Sequence, residues 1–343
     1  MTAVSLSSTG LDVKGEGPVY GLLNFFDSVL RGIGQVMFQN NSYAGLLFLI
    51  GIGCNSWLYA LALVAGTTVS TLTATLLKAD RALVRAGMFG FNGGLVGIAL
   101  LFFLQPTPLT WACLLLAAAC STIVMAAMLA GCDAWKLPAL TAPFVFVSLC
   151  FFLATARFGR MESTGLLPSA GLPQMATVEG IVSGATVAEG LLNGVGQVFF
   201  QENLVTGALF LAGLLVASRM AFVAAVIGSL GGLLVAWGMG AAEPAIRAGA
   251  FGFNSVLVAI ALASVFLASR KASLAYAILG VIVTPFVVAA LAAALQPLGL
   301  PGLTLPFVLV TWTLLLASRA FETAWANEGE NARPSRAPET SDA

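Results

Sequence analysis

Three pairs of polar residues recur in matched surroundings within otherwise apolar sequence, and they limit what chemistry this chain can do. Gln35 and Gln197 carry primary amides near the ends of apolar stretches. Thr141 and Thr304 each stand between two prolines in Leu-Pro-x-x-Thr-x-Pro-Phe, at 137–144 and 300–307. Asn92 and Asn254 close the repeated Phe-Gly-Phe-Asn, which also contains Phe91 and Phe253. Amides, alcohols and phenyl rings carry no charge, and together they suit a small, neutral, polar solute. Burying an amide without a partner costs roughly 2–7 kcal/mol, so each glutamine needs a reason to be there. It either ends a helix at an interface and bonds a neighbouring helix, or faces a cavity shared by the pair. Each proline removes a backbone donor, and irregular backbone at membrane depth survives only where it is buried in protein or lines a cavity. A kinked packing site and a lined pathway therefore both fit the threonine motif. Asn92 and Asn254 read as N-caps of the helices that follow, as do Asn41 and Asn203.

The pairs belong to an internal repeat. Gly32-Ile33-Gly34-Gln35-Val36-Met37-Phe38-Gln39-Asn40-Asn41 returns as Gly194-Val195-Gly196-Gln197-Val198-Phe199-Phe200-Gln201-Glu202-Asn203, 162 residues later. The segment Arg85–Asn92 returns as Arg247–Asn254 at the same offset, and the proline–threonine motif returns at an offset of 163. Three matches on nearly one register define two halves, residues 19–162 and 181–322. A Pro- and Gly-containing linker, 163–180, joins them. A polar segment, 1–18, precedes the first half. The tail 323–343, rich in Glu, Arg, Pro and Ser from Asn327 onward, is expected to be disordered.

The elements that must position these residues are membrane helices. Apolar residues make up 59% of the 343-residue chain and charged residues 9%, against roughly 25% charged in soluble chains. No charge occurs between Arg85 and Asp133, Arg247 and Arg270, or Lys271 and Arg319. These runs are one to two spans long at about 20 residues per span. Runs such as Leu114-Leu115-Leu116-Ala117-Ala118-Ala119 do not alternate as barrel strands must. The expected fold class is therefore an all-α polytopic membrane protein. Duplicated halves of this kind pack about a pseudo-twofold axis with the pathway between them. Inversion needs an odd number of spans per half, and hydropathy is compatible with five plus a shorter re-entrant piece. The five cysteines lack metal or redox spacing and read as buried apolar thiols.

Absences narrow the function. There is no histidine, so no side chain titrates near neutral pH without a large shift. No phosphate-binding loop, metal-ligand cluster or nucleic-acid-binding charge excess is present. No span carries a clear central Asp, Lys or Arg of the kind ion-coupled carriers use. Glu202 and Asp133 are the carboxylates such a carrier would need, and the turn position of Glu202 favours solvent. Lys78, Arg81 and Arg85 bound one turn and Arg270 with Lys271 another, and the positive-inside tally along the chain is balanced.

With its twin Leu-Pro-x-x-Thr-x-Pro-Phe motifs, its Gln-Val pairs and its two Gly-Phe-Asn segments, the chain resembles bacterial members of the urea transporter family over both halves. The resemblance implies a channel-like facilitative urea transporter, not an enzyme, without cofactor or metal. Its expected setting is a bacterial inner membrane, where membrane lipid surrounds inverted five-span halves and each protomer of a homotrimer conducts. It places Gln35 and Gln197 in the wider parts of the path as acceptors for urea NH₂ groups. Phe38, Phe91 and Leu95 would wall one narrow slot, Phe200, Phe253 and Leu257 the other, with Thr141 and Thr304 at the constricted middle. A channel for ammonia or another small amide, or an ion-coupled carrier of a neutral solute, is the alternative.

Overall fold

A computed structural model describes residues 4–13, 17–173, 177–267 and 271–331. A short antiparallel hairpin, β1 (Val4–Ser7) and β2 (Gly10–Val13), precedes the helices. The first half then contains α1 (Pro18–Gln35), α2 (Ser42–Asn55), α3 (Trp57–Leu76), the single turn α4 (Arg81–Arg85), α5 (Gly90–Phe103), α6 (Pro108–Asp133) and α7 (Ala142–Thr155). The second half repeats the order with α8 (Gly184–Gly196), α9 (Leu204–Ala217), α10 (Arg219–Gly238), α11 (Glu243–Arg247), α12 (Gly252–Ile260), α13 (Lys271–Leu295) and α14 (Leu305–Asn331). Among the described residues, five helices are long and apolar enough to cross a membrane, or six if α8 and α9, bent by 75°, form one span. This is an all-α polytopic membrane protein. Helix α14 continues to Asn331, nine residues into the expected tail 323–343; residues 332–343 lie outside the described residues.

The helices start where side chains can satisfy free amide donors. Asn41 accepts from the N–H groups of Tyr43 and Ala44, and Asn203 from that of Thr206, as expected of N-caps. Ser56 and Ser218 do the same for α3 and α10. Close approach depends on small residues, as in membrane bundles generally: Gly66 of α3 lies directly on the backbone of Gly93 and Gly94 in α5.

Contacts between α2 and α9 show how the halves are related. Gly51 packs on Phe210 and Gly213 on Phe48, so position rises along α2 as it falls along α9, and the two helices are antiparallel. They are repeat equivalents, 162 residues apart. Equivalent helices that meet antiparallel are related by a twofold axis perpendicular to their length. The Phe48 and Phe210 rings, also equivalents, meet on that axis with centroids 5.1 Å apart. With helices along the bilayer normal the axis lies in the membrane plane, so the topology is inverted. Phe48, Phe144, Phe199, Phe210 and Phe307 are fully buried, which puts the core where the halves join. Leu116, Ile123, Val223 and Phe286 are exposed and form part of the lipid-facing surface.

The cysteines depart from the expected burial. Cys54 and Cys150 are exposed and Cys113, Cys120 and Cys132 half-buried. Their apolar surroundings in sequence reflect helix faces turned to lipid, not to the protein core.

Candidate permeation site between the halves

Helix α1 stops at Gln35 because the chain turns sharply. Phe38 adopts a left-handed conformation (φ 63°), and so does its equivalent Phe200 (φ 60°). These turns direct one phenyl ring from each half into a cavity. The Gln35 Nε2 donates to the Ala86 carbonyl at 2.8 Å, and the Gln197 Nε2 to the Ala248 carbonyl at 3.1 Å. Each amide is thereby oriented. Its Oε1, which has no hydrogen-bond partner among the described residues, is left as an acceptor.

The first cavity, about 320 Å³, is lined by Gln35, Phe38, Phe91, Met125, Thr141 and Phe266 among others. The second, about 260 Å³, is lined by Gln197, Phe200, Phe253, Phe102, Phe103 and Leu303 among others. Both mix residues from the two halves. Phe38 meets Phe266 and Phe307 edge-on, at 5.8 and 6.0 Å. Phe200 meets Phe102, Phe103 and Phe144 at 5.3, 5.9 and 6.3 Å.

The two threonine hydroxyls join at the middle, with Thr141 Oγ1 and Thr304 Oγ1 2.6 Å apart and both residues almost wholly buried. Thr141 also borders the first cavity, whereas Thr304 reaches the path only through this bond. The preceding residues, Leu140 and Leu303, are left-handed (φ 52° and 49°), and α7 and α14 begin immediately after. Two helix N-termini, the positive ends of their dipoles, thus flank the hydroxyl pair.

Asn92 and Asn254 are not the N-caps expected of them. Phe89 and Phe251 occupy those positions. Both asparagines are fully buried inside their helices and brace the threonine motif instead. Asn92 Oδ1 accepts the Phe144 N–H at 3.1 Å while its Nδ2 donates to the Leu140 carbonyl at 3.4 Å. Asn254 does the same with Phe307 (3.1 Å) and Leu303 (3.2 Å). They satisfy the donors opening α7 and α14 across a tertiary gap, a role with no local sequence signal.

Leu95 and Leu257 are fully buried, four residues past the phenylalanines, and line neither cavity. Glu202 and Asp133 are both exposed, as solvent contact would have it.

Phe102, Phe103 and Phe266 were not foreseen as walls, yet the repeat register holds a signal for them. Phe91 and Phe253 match at an offset of 162. Met125 and Leu129 in the first cavity match Val288 and Ala292 in the second at 163, as do Phe102-Phe103 and Val265-Phe266. One extra residue therefore enters the second half between Phe253 and Val265. There α12 gives way to a π-helix, Ala261–Phe266. A π-turn holds one more residue than an α-turn, so it absorbs the insertion and keeps Phe266 aimed at Phe38. Deleting Ala263 is expected to restore an α-helix like α5 and leave urea flux within about twofold of wild type. Deleting Ala99 from α5 should rotate Phe102 and Phe103 by about 100° and abolish flux. Stopped-flow light scattering on proteoliposomes of both deletions would show whether that asymmetry exists.

Residues 26–319 match the urea transporter family. This chain belongs to that family. It is similar to urea transporter 1 of Ovis aries, 34% identical over 298 residues covering 86% of this chain and 77% of the relative. Urea transporter 1 of Rattus norvegicus is 32% identical over 299 residues, with the same two coverages. The family match includes both cavities, the threonine pair and the asparagine braces.

Proposed function

We propose that urea crosses this protein passively along the line Gln35, Phe38 and Phe91, then Thr141 and Thr304, then Phe253, Phe200 and Gln197. Facilitative urea transport is the activity of the family. The observation that carries the route is the 2.6 Å hydroxyl pair between two cavities whose amide oxygens stand open. Urea is flat and neutral, with donors around most of its edge. Phenyl rings accommodate its faces, and each oxygen replaces a water at about 1 kcal/mol net per hydrogen bond. Weak binding at several sites is what conduction needs. At the middle, the threonines exchange their mutual bond for bonds to urea. A cation would meet two positive helix ends there and no carboxylate, an electrostatic barrier of the kind that excludes ions from neutral-solute pores.

The residues lining both cavities contain no titratable side chain. Urea permeability of proteoliposomes is therefore expected to exceed that of protein-free liposomes and to stay flat from about pH 5 to pH 9. Uphill accumulation driven by an imposed proton or sodium gradient would replace this reading with a coupled carrier. A permeability series over urea, formamide, acetamide and ammonia would test the other alternative.

The inverted fold also supports a proposal for the cytoplasmic face. The C-terminal ends of α3 and α6 share one side, because α4, α5 and the short α5–α6 connection return the chain there. Arg319 joins them by donating to the Trp135 and Lys136 carbonyls, and inversion adds Arg219. Among the described side chains at the helix ends, that side carries Lys78, Arg81, Arg85, Lys136, Arg219 and Arg319, against Arg157, Arg160 and Arg247 on the other. By the cytoplasmic bias of Lys and Arg, we take the first as cytoplasmic. The protein is a multi-pass membrane protein; a bacterial inner membrane and a homotrimer of separately conducting protomers complete the proposal.

A further inference from the structure

A cavity of about 940 Å³ lies away from the urea path, between the N-terminal half of α1 and the end of α3 with α4. Lys78, Arg81 and Arg85 line it, and none has a hydrogen-bond or ion-pair partner among the described residues. The one carboxylate lining it, Asp80, is engaged in accepting from the Ala82 and Leu83 N–H groups as the cap of α4. Asp27, nearby on α1, is held by Arg31, Ser42 and the Leu11 N–H. Asn24 also lines the cavity, and its Oδ1 is buried without a partner.

The other half shows that the fold does not need these cations. At the repeat-equivalent positions stand Gly240 for Lys78, Glu243 for Arg81 and Arg247 for Arg85. There Arg247 bonds both Glu189 and Glu243, at 2.9 and 2.6 Å, and Thr186, the equivalent of Asn24, donates to Glu243 at 2.5 Å. In the second half the corner's one cation is therefore bound by two carboxylates, whereas the first half's corner is left cationic. Exposed Val19, Leu22, Phe26, Leu76 and Leu77 surround the cationic one and continue into the lipid-facing surface.

We infer that this cavity binds the phosphodiester headgroup of an anionic phospholipid, with its acyl chains against the exposed leucines and Phe26. Three cations without a partner among the described residues, beside apolar surface on the side that the proposed orientation makes cytoplasmic, match such a headgroup. Arg81 and Arg85 can each give a forked pair of hydrogen bonds to phosphate oxygens. A free phosphate ion would use the same cations but not the apolar rim.

Native mass spectrometry of the full chain released from detergent with equal phosphatidylglycerol and phosphatidylcholine tests the inference. Wild type should retain phosphatidylglycerol preferentially. The Lys78→Gln/Arg81→Gln/Arg85→Gln variant should lose that preference by on the order of a hundredfold, and Arg81→Gln alone by about fivefold. The single variant decides if the triple one does not fold, as urea flux in phosphatidylcholine liposomes would reveal. Arg157→Gln/Arg160→Gln, on the opposite face, should keep the full preference. Equal retention of the two lipids by wild type, or an unchanged preference in the triple and single variants, would overturn the site. If inorganic phosphate at matched concentration displaced phosphatidylglycerol completely, the site would be one for free phosphate and the lipid assignment would fall.

Discussion

Replacing Thr141 and Thr304 together by valine is expected to lower urea permeability by one to two orders of magnitude while leaving the fold intact. Valine keeps the shape of threonine and removes the hydroxyl. The two hydroxyls bond each other at 2.6 Å, so removing both leaves no orphaned partner between them. Removing both members of a hydrogen bond with shape retained is nearly neutral for stability, and the midpoint of thermal unfolding should move little. The passing solute fares differently. Urea at the middle would have donors that no longer find an acceptor, at a cost of about 1–3 kcal/mol per unmet group, and each 1.4 kcal/mol of barrier is roughly a tenfold loss of rate. Either single valine should cost less, because one hydroxyl remains. Thr141→Ser with Thr304→Ser should conduct close to wild type. Stopped-flow urea permeability of the four proteins separates the cases. Wild-type flux through the double valine protein would mean that the threonines only brace their proline-bounded turns.

The largest expected loss of stability follows from Asn254→Leu. Its side chain meets two buried backbone groups at once, the Phe307 N–H and the Leu303 carbonyl, and it is fully buried itself. Leucine would strand both groups. At about 1–3 kcal/mol for each, the change takes a large share of the 5–15 kcal/mol typical of a folded domain. The protein is expected to lose monodispersity on size-exclusion chromatography or to unfold at least about 10 °C lower, with loss of urea flux. Asn92→Leu should act in the same direction and more weakly, because its bond to the Leu140 carbonyl is longer, 3.4 Å against 3.2 Å. If Asn254→Leu matched wild type in both assays, the left-handed turn at Leu303 would have to be held by packing alone.

The Asn pair also shows where local sequence ran short. Phe-Gly-Phe-Asn before an apolar run resembles a helix start, and capping is the only role a chain read locally can give such an asparagine. The backbone groups it bonds lie 48 to 53 residues away, in a motif that the sequence singled out for a different reason. Leu95 and Leu257 sit one helical turn past residues that do line the path, and only side-chain direction tells the two positions apart. Phe102, Phe103 and Phe266 were legible in principle. The offset changes from 162 to 163 between the second and third repeat motifs, and locating that extra residue pairs Phe103 with Phe266. The conformation that accommodates it, a π-turn, is visible only in the backbone.

Composition and charge spacing by themselves determined that the chain spans a membrane as helices, since lipid tolerates neither unpaired backbone nor stray charge. The repeated motifs, read in order, determined two homologous halves and named Gln35, Gln197, Thr141 and Thr304. Only the tertiary structure decided that the halves are inverted, because antiparallel packing of α2 on α9 is a contact between segments with no local pattern in common. The same contacts decided that the two hydroxyls meet and sorted the scattered cations onto opposite faces. Local sequence dictates helix length and polarity, whereas distances between residues 163 apart are set by how whole helices pack.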